Sequence, residues 1–493
     1  MSVQLKLKTL TPAEISKVTG GRLEIYNGCS PDTPQTAVSI NSKEAGEGVI
    51  FFAIKGTRVD GCDFIAEAAA MGSTCFLCER VPDSAKECGH PFCAVVVENV
   101  VEAMGTLASW YRGFSEASFV AITGSVGKTT TKEFVAAVAS AAFKTHKTEG
   151  NLNNEIGMPL TLFGLEPDHR VAVVEMGMSG LGEIEYLTKL VRPDIAIVTN
   201  IGTSHLASLG TRENICRAKM EIRLGLKEGG RLLLNADEPL LFDQCGTLEE
   251  KPLLMSVYNR CGDFRAVNIR QKLDGIVYDL IYNSKAVTNV EIPALGKHNV
   301  YNSLAAYAVG VMLGMTDDQI RVGLSSFVGA DMRQKVYEVG GITIIDDCYN
   351  ASPESMRAAV DVLVSFAQKK NARSAALLGD MLELGEYSRL MHDQVGQYAA
   401  QMQVQKLFCY GTMADIIAEA AIKKGVRADN VYVCLDTRDP QGMADMILSA
   451  LEPGDVLLVK ASRAVRAEKI IECMKKRKSK RGGKTSSASG KKN

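Results

Sequence analysis

The chain has 493 residues, of which 46% are hydrophobic and 23% are charged. This length is too great for one hydrophobic core and predicts about three domains. The composition excludes a disordered or fibrous protein. No apolar run reaches the ~18 residues of a membrane span, and the amino terminus lacks the apolar segment of a signal peptide, so a cytoplasmic protein is expected.

The thirteen cysteines are scattered along the chain. Cys75 and Cys78 form one C-x-x-C pair without a second pair or a nearby histidine, so reduced thiols are expected rather than a zinc site. Residues 475–493 contain nine basic residues, no acidic ones and almost no apolar side chains. This segment is predicted to be a disordered, solubilising tail without a specific nucleic-acid or lipid partner.

The first zone, residues 1–105, is predicted to be a small mixed α/β domain. Its apolar runs at residues 50–54 and Cys75–Cys78 are typical of buried strands, and a helix is predicted over residues 63–71. Short alternating segments and turn residues fill the rest of this zone.

The second zone, residues 106–329, contains continuously apolar strands that alternate with helices. Strands are predicted at residues 119–122, 171–174 and 194–198, and the first strand precedes a helix over residues 128–142. Strands of this kind indicate a parallel sheet that is covered on both faces.

The third zone, residues 330–474, repeats this alternation. Strands are predicted at residues 342–345, 375–378, 407–410 and 456–459. The pattern predicts a second doubly wound, Rossmann-like unit, in which ligands bind at the carboxyl ends of the strands. The predicted fold class is therefore α/β with three domains.

A glycine-rich turn, TGSVGKTT, lies between a predicted strand and a predicted helix. Its glycines allow backbone N–H groups to point at phosphate oxygens, and the helix start adds the positive end of its dipole. Ile122 replaces the first glycine of the general G-x-x-x-x-G-K-[ST] pattern. The alternative is a helix start that carries an ordinary lysine. The predicted ATP-binding residues are Gly124, Ser125, Val126, Gly127, Lys128, Thr129 and Thr130, of which Thr129 is also a predicted Mg²⁺ ligand.

Three later residues are metal-site candidates with different support. Glu175 ends an apolar strand, where a parallel sheet places a hard oxygen ligand for Mg²⁺. His205 follows another strand in a polar loop, although a single histidine is more often structural. The default interpretation of Lys219 is a solvated lysine on a helix, and its position in the sequence alone does not favour a functional role.

The ordered motifs resemble the Mur ligase family, which builds the peptide stem of bacterial cell-wall precursors. The resemblance covers nearly the whole chain except the tail. Its motifs, in order, are FFAIKGTRVDG, TGSVGKTT, GNLNNEIGMPLT, VVEMG, TNIGTSHLASLGTRENICRAK, LGKHNVYNSLAA, IDDCYNASPESM, LLGDMLELG and VKASR.

The resemblance implies a fold, a reaction and a set of substrates. The combination of DDCYNASP with GDMLELG resembles members that join D-alanyl-D-alanine to UDP-N-acetylmuramoyl-tripeptide through an acyl phosphate, in peptidoglycan synthesis. It implies a UDP-binding domain, a central ATPase domain, a third domain that closes over the amine substrate, and a chain that functions as a monomer. The third residue of the tripeptide is left open.

The resemblance also assigns roles to individual residues of this sequence. Lys219 matches a carbamylated lysine, which would be an anionic oxygen ligand for Mg²⁺, and His205 matches a metal-binding histidine. Both are expected to be catalytic together with Lys128. The implied ATP contacts outside the loop are Asn299, Asn302, Arg333 and Asp347.

The implied substrate residues lie in the first and third domains. This chain departs from the family pattern at Asn41, Lys43, Cys62, Ser352 and Ala461, and lysine does not replace a bidentate arginine conservatively at a phosphate site. The implied set is Ser42, Lys43, Lys55, Asp60, Tyr349, Asn350, Ser352, Lys460, Ser462 and Arg463.

Two alternatives share the central domain. One is a related ligase with another amine acceptor, such as folylpolyglutamate or cyanophycin synthetase, but the FFAIKGTRVDG segment disfavours it. The other is a non-catalytic P-loop switch, which would need neither Lys219 nor a second doubly wound domain.

Overall fold

The computed structural model describes residues 2–258 and 261–485, which form three β-sheets with flanking helices. This α/β architecture confirms the predicted fold class. None of the described helices has both the length and the apolar character needed to cross a lipid bilayer.

The amino-terminal sheet has six strands. Its four central strands are parallel, and the first and second strands of the chain lie antiparallel at its two edges. The predicted helix at residues 63–71 is divided into a 3₁₀ turn and a short α-helix. The elements are β1 (Val3–Gln4), α1 (Pro12–Thr19), β2 (Arg22–Tyr26), β3 (Ala37–Ser39), β4 (Val49–Phe52), α2 (Ile65–Ala70), β5 (Cys75–Cys78), α3 (Asp83–Lys86), β6 (Phe92–Val96) and α4 (Val100–Arg112), with 3₁₀ turns at Ser42–Glu44 and Gly61–Phe64.

The central sheet has nine strands, and two further helices follow it. Its strands are β7 (Ser118–Thr123), β8 (Thr145–Lys147), β9 (Val171–Glu175), β10 (Ile195–Val198), β11 (Arg231–Asn235), β12 (Leu253–Ser256), β13 (Phe264–Gln271), β14 (Ile276–Tyr282) and β15 (Lys285–Ile292). Its helices are α5 (Lys128–Ser140), α6 (Gly157–Phe163), α7 (Glu183–Val191), α8 (Leu206–Leu209), α9 (Arg212–Met220), α10 (Pro239–Gln244), α11 (His298–Met312) and α12 (Asp317–Ser325), with a 3₁₀ turn at Glu221–Gly225.

The central sheet is not parallel throughout, which corrects the prediction. The strand order is β15-β14-β13-β12-β11-β10-β7-β9-β8, and the pairs from β8 to β13 are parallel. The strands β13, β14 and β15 form an antiparallel meander at one edge. Along β15 only Val287, Val290 and Ile292 are buried, so one face is solvated, and an irregularity in its pairing with β14 interrupts strict alternation.

Helix α4 joins the first two sheets. It packs against α1 of the amino-terminal sheet and against α6 and α7 of the central sheet. The hydroxyl of Tyr111 accepts a hydrogen bond from the N–H of Leu7 at 2.8 Å. The predicted boundary at residue 105 would divide this helix, so we place the boundary after Arg112.

The third sheet has six strands in the order β16-β17-β21-β18-β19-β20, of which only β16 is antiparallel to its neighbour among the described pairs. The elements are β16 (Lys335–Val339), β17 (Ile342–Asp346), α13 (Pro353–Lys370), β18 (Ser374–Gly379), α14 (Ser388–Gln401), β19 (Lys406–Tyr410), α15 (Ala414–Lys423), β20 (Val431–Cys434), α16 (Pro440–Ala450), β21 (Val456–Lys460) and α17 (Glu468–Thr485), with 3₁₀ turns at Gly385–Tyr387, Ala428–Asn430 and Arg463–Val465.

The final helix changes the prediction for the basic tail. Because α17 ends at Thr485, the segment predicted to be disordered from Lys475 begins inside a helix. Lysine and arginine are good helix formers, so they extend a helix that Ile470, Ile471 and Met474 anchor in the core. Residues 486–493 of the predicted tail lie outside the described residues.

Candidate active site

The phosphate loop curls at the carboxyl end of β7 because two glycines adopt positive φ angles. Gly124 has φ 150° and Gly127 has φ 85°. A Cβ atom on Gly124 would lie 1.9 Å from Thr199 Oγ1, and one on Gly127 would lie 2.9 Å from Asn302 Oδ1. Close neighbours and backbone angles therefore both require glycine at these positions.

The loop faces a cleft of about 1370 Å³ between the central and third sheets. The side chain of Lys128 folds back so that its ammonium group donates to the Gly124 carbonyl at 2.8 Å. Burial lowers the pKa of Lys128, and the nearby carboxylate of Glu175 opposes this effect. Six of the seven predicted loop residues line this cleft, namely Ser125, Val126, Gly127, Lys128, Thr129 and Thr130.

The loop that follows β10 braces the phosphate loop. The side-chain oxygen of Asn200 accepts from the N–H of Val126 at 2.9 Å, and its amide group donates to the Val126 carbonyl at 2.9 Å. The backbone N–H of Gly202 donates to Ser125 Oγ at 2.8 Å. Asn200 was not among the predicted residues, although its position in a polar loop after a strand was a usable signal.

Glu175 has the features expected of a cation ligand. Its side chain is only 3% exposed, and Asn153 donates to its Oε1 at 2.8 Å. Its Oε2 is buried and has no hydrogen-bond partner among the described residues. An orphaned carboxylate oxygen beside a phosphate loop fits Mg²⁺, which prefers hard oxygen donors. Thr129, the other predicted oxygen ligand, lines the same cleft.

Lys219 is 1% exposed, which corrects the default interpretation of a solvated helix lysine. Burial holds the pKa of Lys219 well below its usual range, and the positive charge of Lys128 lowers it further. Within the described part of the chain, its ammonium group has no ion-pair partner. Burial therefore makes the proton of Lys219 easier to remove, and the neutral amine is the form of a lysine that reacts with carbon dioxide.

His205 lies beside the third sheet rather than on the lining of the large cleft. Its backbone is left-handed, with φ 66°. Its Nδ1 lies 3.2 Å from a carboxylate oxygen of Glu383, and the hydrogen bond from His205 lowers the pKa of Glu383.

The amides of Asn299 and Asn302 form a buried chain at the start of α11. Asn302 accepts from the Thr131 hydroxyl at 2.9 Å and donates to Asn299 Oδ1 at 2.8 Å. Asn299 donates to the Leu295 carbonyl at 2.8 Å. Both residues line the large cleft, and their contacts tie α11 to α5 behind the phosphate loop.

The third sheet contributes a cation and an ion pair to the same cleft. The guanidinium of Arg333 lies 4.2 Å from the centre of the Tyr349 ring. The ammonium group of Lys460 lies 2.6 Å from an Asp347 carboxylate oxygen and 3.0 Å from the Asn350 carbonyl. Lys460 is thus already neutralised, so its contacts favour support of this loop over the predicted contact with a peptide carboxylate.

Other predicted substrate residues have structural contacts as well. Ser352 caps α13 by accepting from the Ser355 N–H at 3.3 Å. Ser462 Oγ accepts from the Leu382 N–H at 2.9 Å, and Arg463 pairs with Glu468 at 3.1 Å. With Tyr349 and Asn350, these three residues line a second cleft of about 470 Å³.

The four predicted residues of the first domain do not line either of these clefts. Lys43 and Lys55 are exposed, and Ser42 lies in a 3₁₀ turn. Asp60 accepts from the Cys62 N–H at 2.9 Å and pairs with Arg80 at 2.8 Å. These contacts lower the pKa of Asp60, with the backbone bond as the largest cause. The sequence prediction missed Arg80.

Three family models match successive parts of the chain. Residues 35–112 match "Mur ligase family, catalytic domain", residues 122–310 match "Mur ligase middle domain", and residues 332–463 match "Mur ligase, glutamate ligase domain". Together they match most of each of the three sheets, although β1 and β2 lie outside the matched ranges.

Curated relatives match along nearly their whole length. A Bacillus subtilis protein named UDP-N-acetylmuramoyl-tripeptide–D-alanyl-D-alanine ligase is 35% identical over 90% of this chain and 94% of its own length. The Escherichia coli protein of the same name is 31% identical over 94% of this chain and 98% of its own.

Solved structures match the fold. MurF from Acinetobacter baumannii has a TM-score of 0.85 at 30% identity and covers 95% of this chain and 99% of its own. MurF from Thermotoga maritima, solved in complex with ADP, has a TM-score of 0.79 at 30% identity. This match covers 90% of this chain and 98% of the Thermotoga chain. A Mycobacterium tuberculosis folylpolyglutamate synthase, at 16% identity and a TM-score of 0.60, shares the fold alone. The chain belongs to the Mur ligase family.

Proposed function

We propose that the chain is an ATP-dependent ligase that joins D-alanyl-D-alanine to UDP-N-acetylmuramoyl-tripeptide in peptidoglycan precursor synthesis. The observation that carries the proposal is the match to ligases of that name over at least 90% of both chains at up to 35% identity. The braced phosphate loop and the orphaned oxygen of Glu175 supply the chemistry that such a ligase needs.

The reaction proceeds in two steps. The γ-phosphoryl group moves from ATP to the terminal carboxylate of the tripeptide, which leaves ADP and an acyl phosphate. The amine of D-alanyl-D-alanine then attacks the acyl carbon, the amide bond forms, and inorganic phosphate leaves. Lys128 offsets negative charge on the phosphates, while the loop N–H groups orient them.

We assign the metal site to Thr129, Glu175 and a carbamylated Lys219. The family resemblance adds His205, which would have to leave Glu383 to reach the large cleft. When bound, Mg²⁺ would neutralise phosphate charge during transfer. The orphaned Glu175 Oε2 and the buried amine of Lys219 support the assignment. Carbamylation would convert this amine into an anion that can bind the cation.

We assign ATP to the large cleft and the acceptor dipeptide to the second. Asn299, Asn302, Arg333 and Asp347 line the large cleft with the phosphate loop. Two arginines, Arg463 and Arg466, line the second cleft beside apolar Leu382 and Leu384. Cations suit a terminal carboxylate, and apolar side chains suit two methyl groups. Tyr349 and Asn350 border both clefts and connect the two sites.

We assign the UDP group to the first domain, where exposed Lys43 and Lys55 supply positive charge. A monomer in the cytoplasm, where ATP and nucleotide-linked precursors are available, completes the proposal.

The test measures phosphate release from ATP with the UDP-linked tripeptide, with D-alanyl-D-alanine, with both or with neither, and identifies the product by mass spectrometry. We expect rapid release and a UDP-linked pentapeptide only when both substrates are present. An amide product formed with a different amine acceptor, and not with D-alanyl-D-alanine, would support the related-ligase alternative. Nucleotide binding without any amide product would support the switch alternative.

A further inference from the structure

Helix α13 of the third sheet contacts the loop that braces the phosphate loop. Glu354 lies in the first turn of this helix, and its Oε1 accepts from the backbone N–H of Thr203 at 3.0 Å. Its Oε2 accepts from the Thr203 hydroxyl at 3.2 Å. The two residues are 151 positions apart in the chain, so this contact depends entirely on how the two sheets are placed together.

The contact is transmitted to the phosphate loop through Gly202. The N–H of Gly202 donates to Ser125 Oγ, and a Cβ atom on Gly202 would lie 3.1 Å from Glu354 Cδ and 3.2 Å from Ser125 Cβ. The backbone at Gly202 is therefore tightly enclosed between the helix and the phosphate loop. A displacement of Glu354 would free the backbone that positions Ser125.

A carboxylate lets Glu354 accept from both polar groups of Thr203. Thr203 presents an N–H and an O–H to different oxygens of Glu354. A glutamine could still pair with both groups, because its oxygen can accept from the N–H and its NH₂ group can donate to the hydroxyl oxygen, whereas an alanine removes both contacts. An aspartate is one methylene shorter and would leave both donors without close acceptors.

We propose that Glu354 is a positioning residue that couples the docking of the third domain to the geometry of the phosphate loop. Docking of α13 orders the loop at residues 200–203, and this loop orders Ser125 and Val126 for nucleotide binding. The second contact of the third domain with this loop, between Glu383 and His205, acts in the same direction. The inference rests on the proposed function, because docking of the third domain affects activity only if the phosphate loop binds ATP.

The test measures binding of a non-hydrolysable ATP analogue with Mg²⁺ by calorimetry for the full chain and for Glu354→Ala. We expect the Kd of the variant for the analogue to rise about tenfold, because the N–H and the hydroxyl of Thr203 lose their charged acceptor. The midpoint of thermal unfolding should stay close to that of the unmodified chain. If the residue had only a structural role, its substitution would lower this midpoint. Glu419→Ala, which removes an exposed carboxylate on α15, is the matched control and should bind normally.

A second variant tests the inference if Glu354→Ala folds poorly. Thr203→Val removes only the hydroxyl and retains the N–H, so we expect a smaller rise in Kd of about threefold. Unchanged nucleotide affinity in a folded Glu354 or Thr203 variant would overturn the inference. Pentapeptide synthesis is measured separately from nucleotide binding. If the unmodified chain binds the nucleotide but makes no pentapeptide, the proposed function is contradicted, and the coupling can still be tested by nucleotide affinity.

Discussion

At the scale of single residues, Lys128 supplies positive charge where the phosphates are proposed to bind. We expect Lys128→Ala to lower phosphate release in the complete reaction by roughly 100-fold or more, because a preorganised electrostatic contact is lost. A colorimetric phosphate assay at saturating substrates measures the effect.

The matched control for this change is Lys189→Ala. The side chain of Lys189, on α7, is exposed and pairs with Glu185, so its loss should leave phosphate release unchanged. Full activity in Lys128→Ala would refute the assignment of the phosphate loop.

Lys219 allows a chemical test of the carbamate. Lys219→Ala should lose activity, and short-chain carboxylic acids should restore part of it by occupying the space of the missing carbamate. The unmodified chain equilibrated with ¹³C-labelled bicarbonate should show a carbamate resonance that the variant lacks. Unchanged activity in the variant, or identical spectra, would remove Lys219 from the metal site.

At the scale of elements, Asp317 ties the antiparallel meander to the helices that follow it. Although burial raises its pKa, hydrogen bonds from Lys285, Tyr282 and Tyr307 hold the pKa of Asp317 at about 2. Both tyrosine hydroxyls donate at 2.6 Å. We expect Asp317→Asn to lower the free energy of unfolding by about 1.5–3 kcal/mol, measured by urea denaturation at pH 7.

The pH dependence of this effect follows from the lowered pKa. The carboxyl group titrates near its usual value of 3.8 in the unfolded chain and near 2 in the folded chain. Its stabilisation is therefore fully present above about pH 4 and is lost as the pH falls toward 2. The difference between the two proteins should shrink over this range, and a constant difference would contradict the role given to the charge.

The strands of this antiparallel meander could not be predicted from the local sequence pattern. The strands β7, β9 and β10 were recognisable because both faces are buried and the runs are continuously apolar. The strands β13 and β15 mix exposed and buried residues, so their sequence resembles that of a surface segment until the partner strands are known.

At the scale of the whole molecule, the basic carboxyl-terminal segment is proposed to have no part in catalysis. Removing residues 478–493 retains the core contacts of Met474 and the ion pair between Arg477 and Asp445. We expect kcat and the KM of each substrate to stay within about twofold of the full chain, because surface changes away from a site are small. Steady-state kinetics checks this, and a large loss would place the segment at the site.

The sequence by itself determined the phosphate loop, the buried strands and the family resemblance, because glycine positions and apolar runs are local properties of the chain. Only the tertiary structure decided which polar groups meet. Asn153 donates a hydrogen bond to Glu175, Lys460 pairs with Asp347, and Glu354 accepts hydrogen bonds from Thr203. Partners more than a hundred residues apart, as in the last two pairs, become neighbours only when sheets pack, so their contacts cannot be derived from spacing.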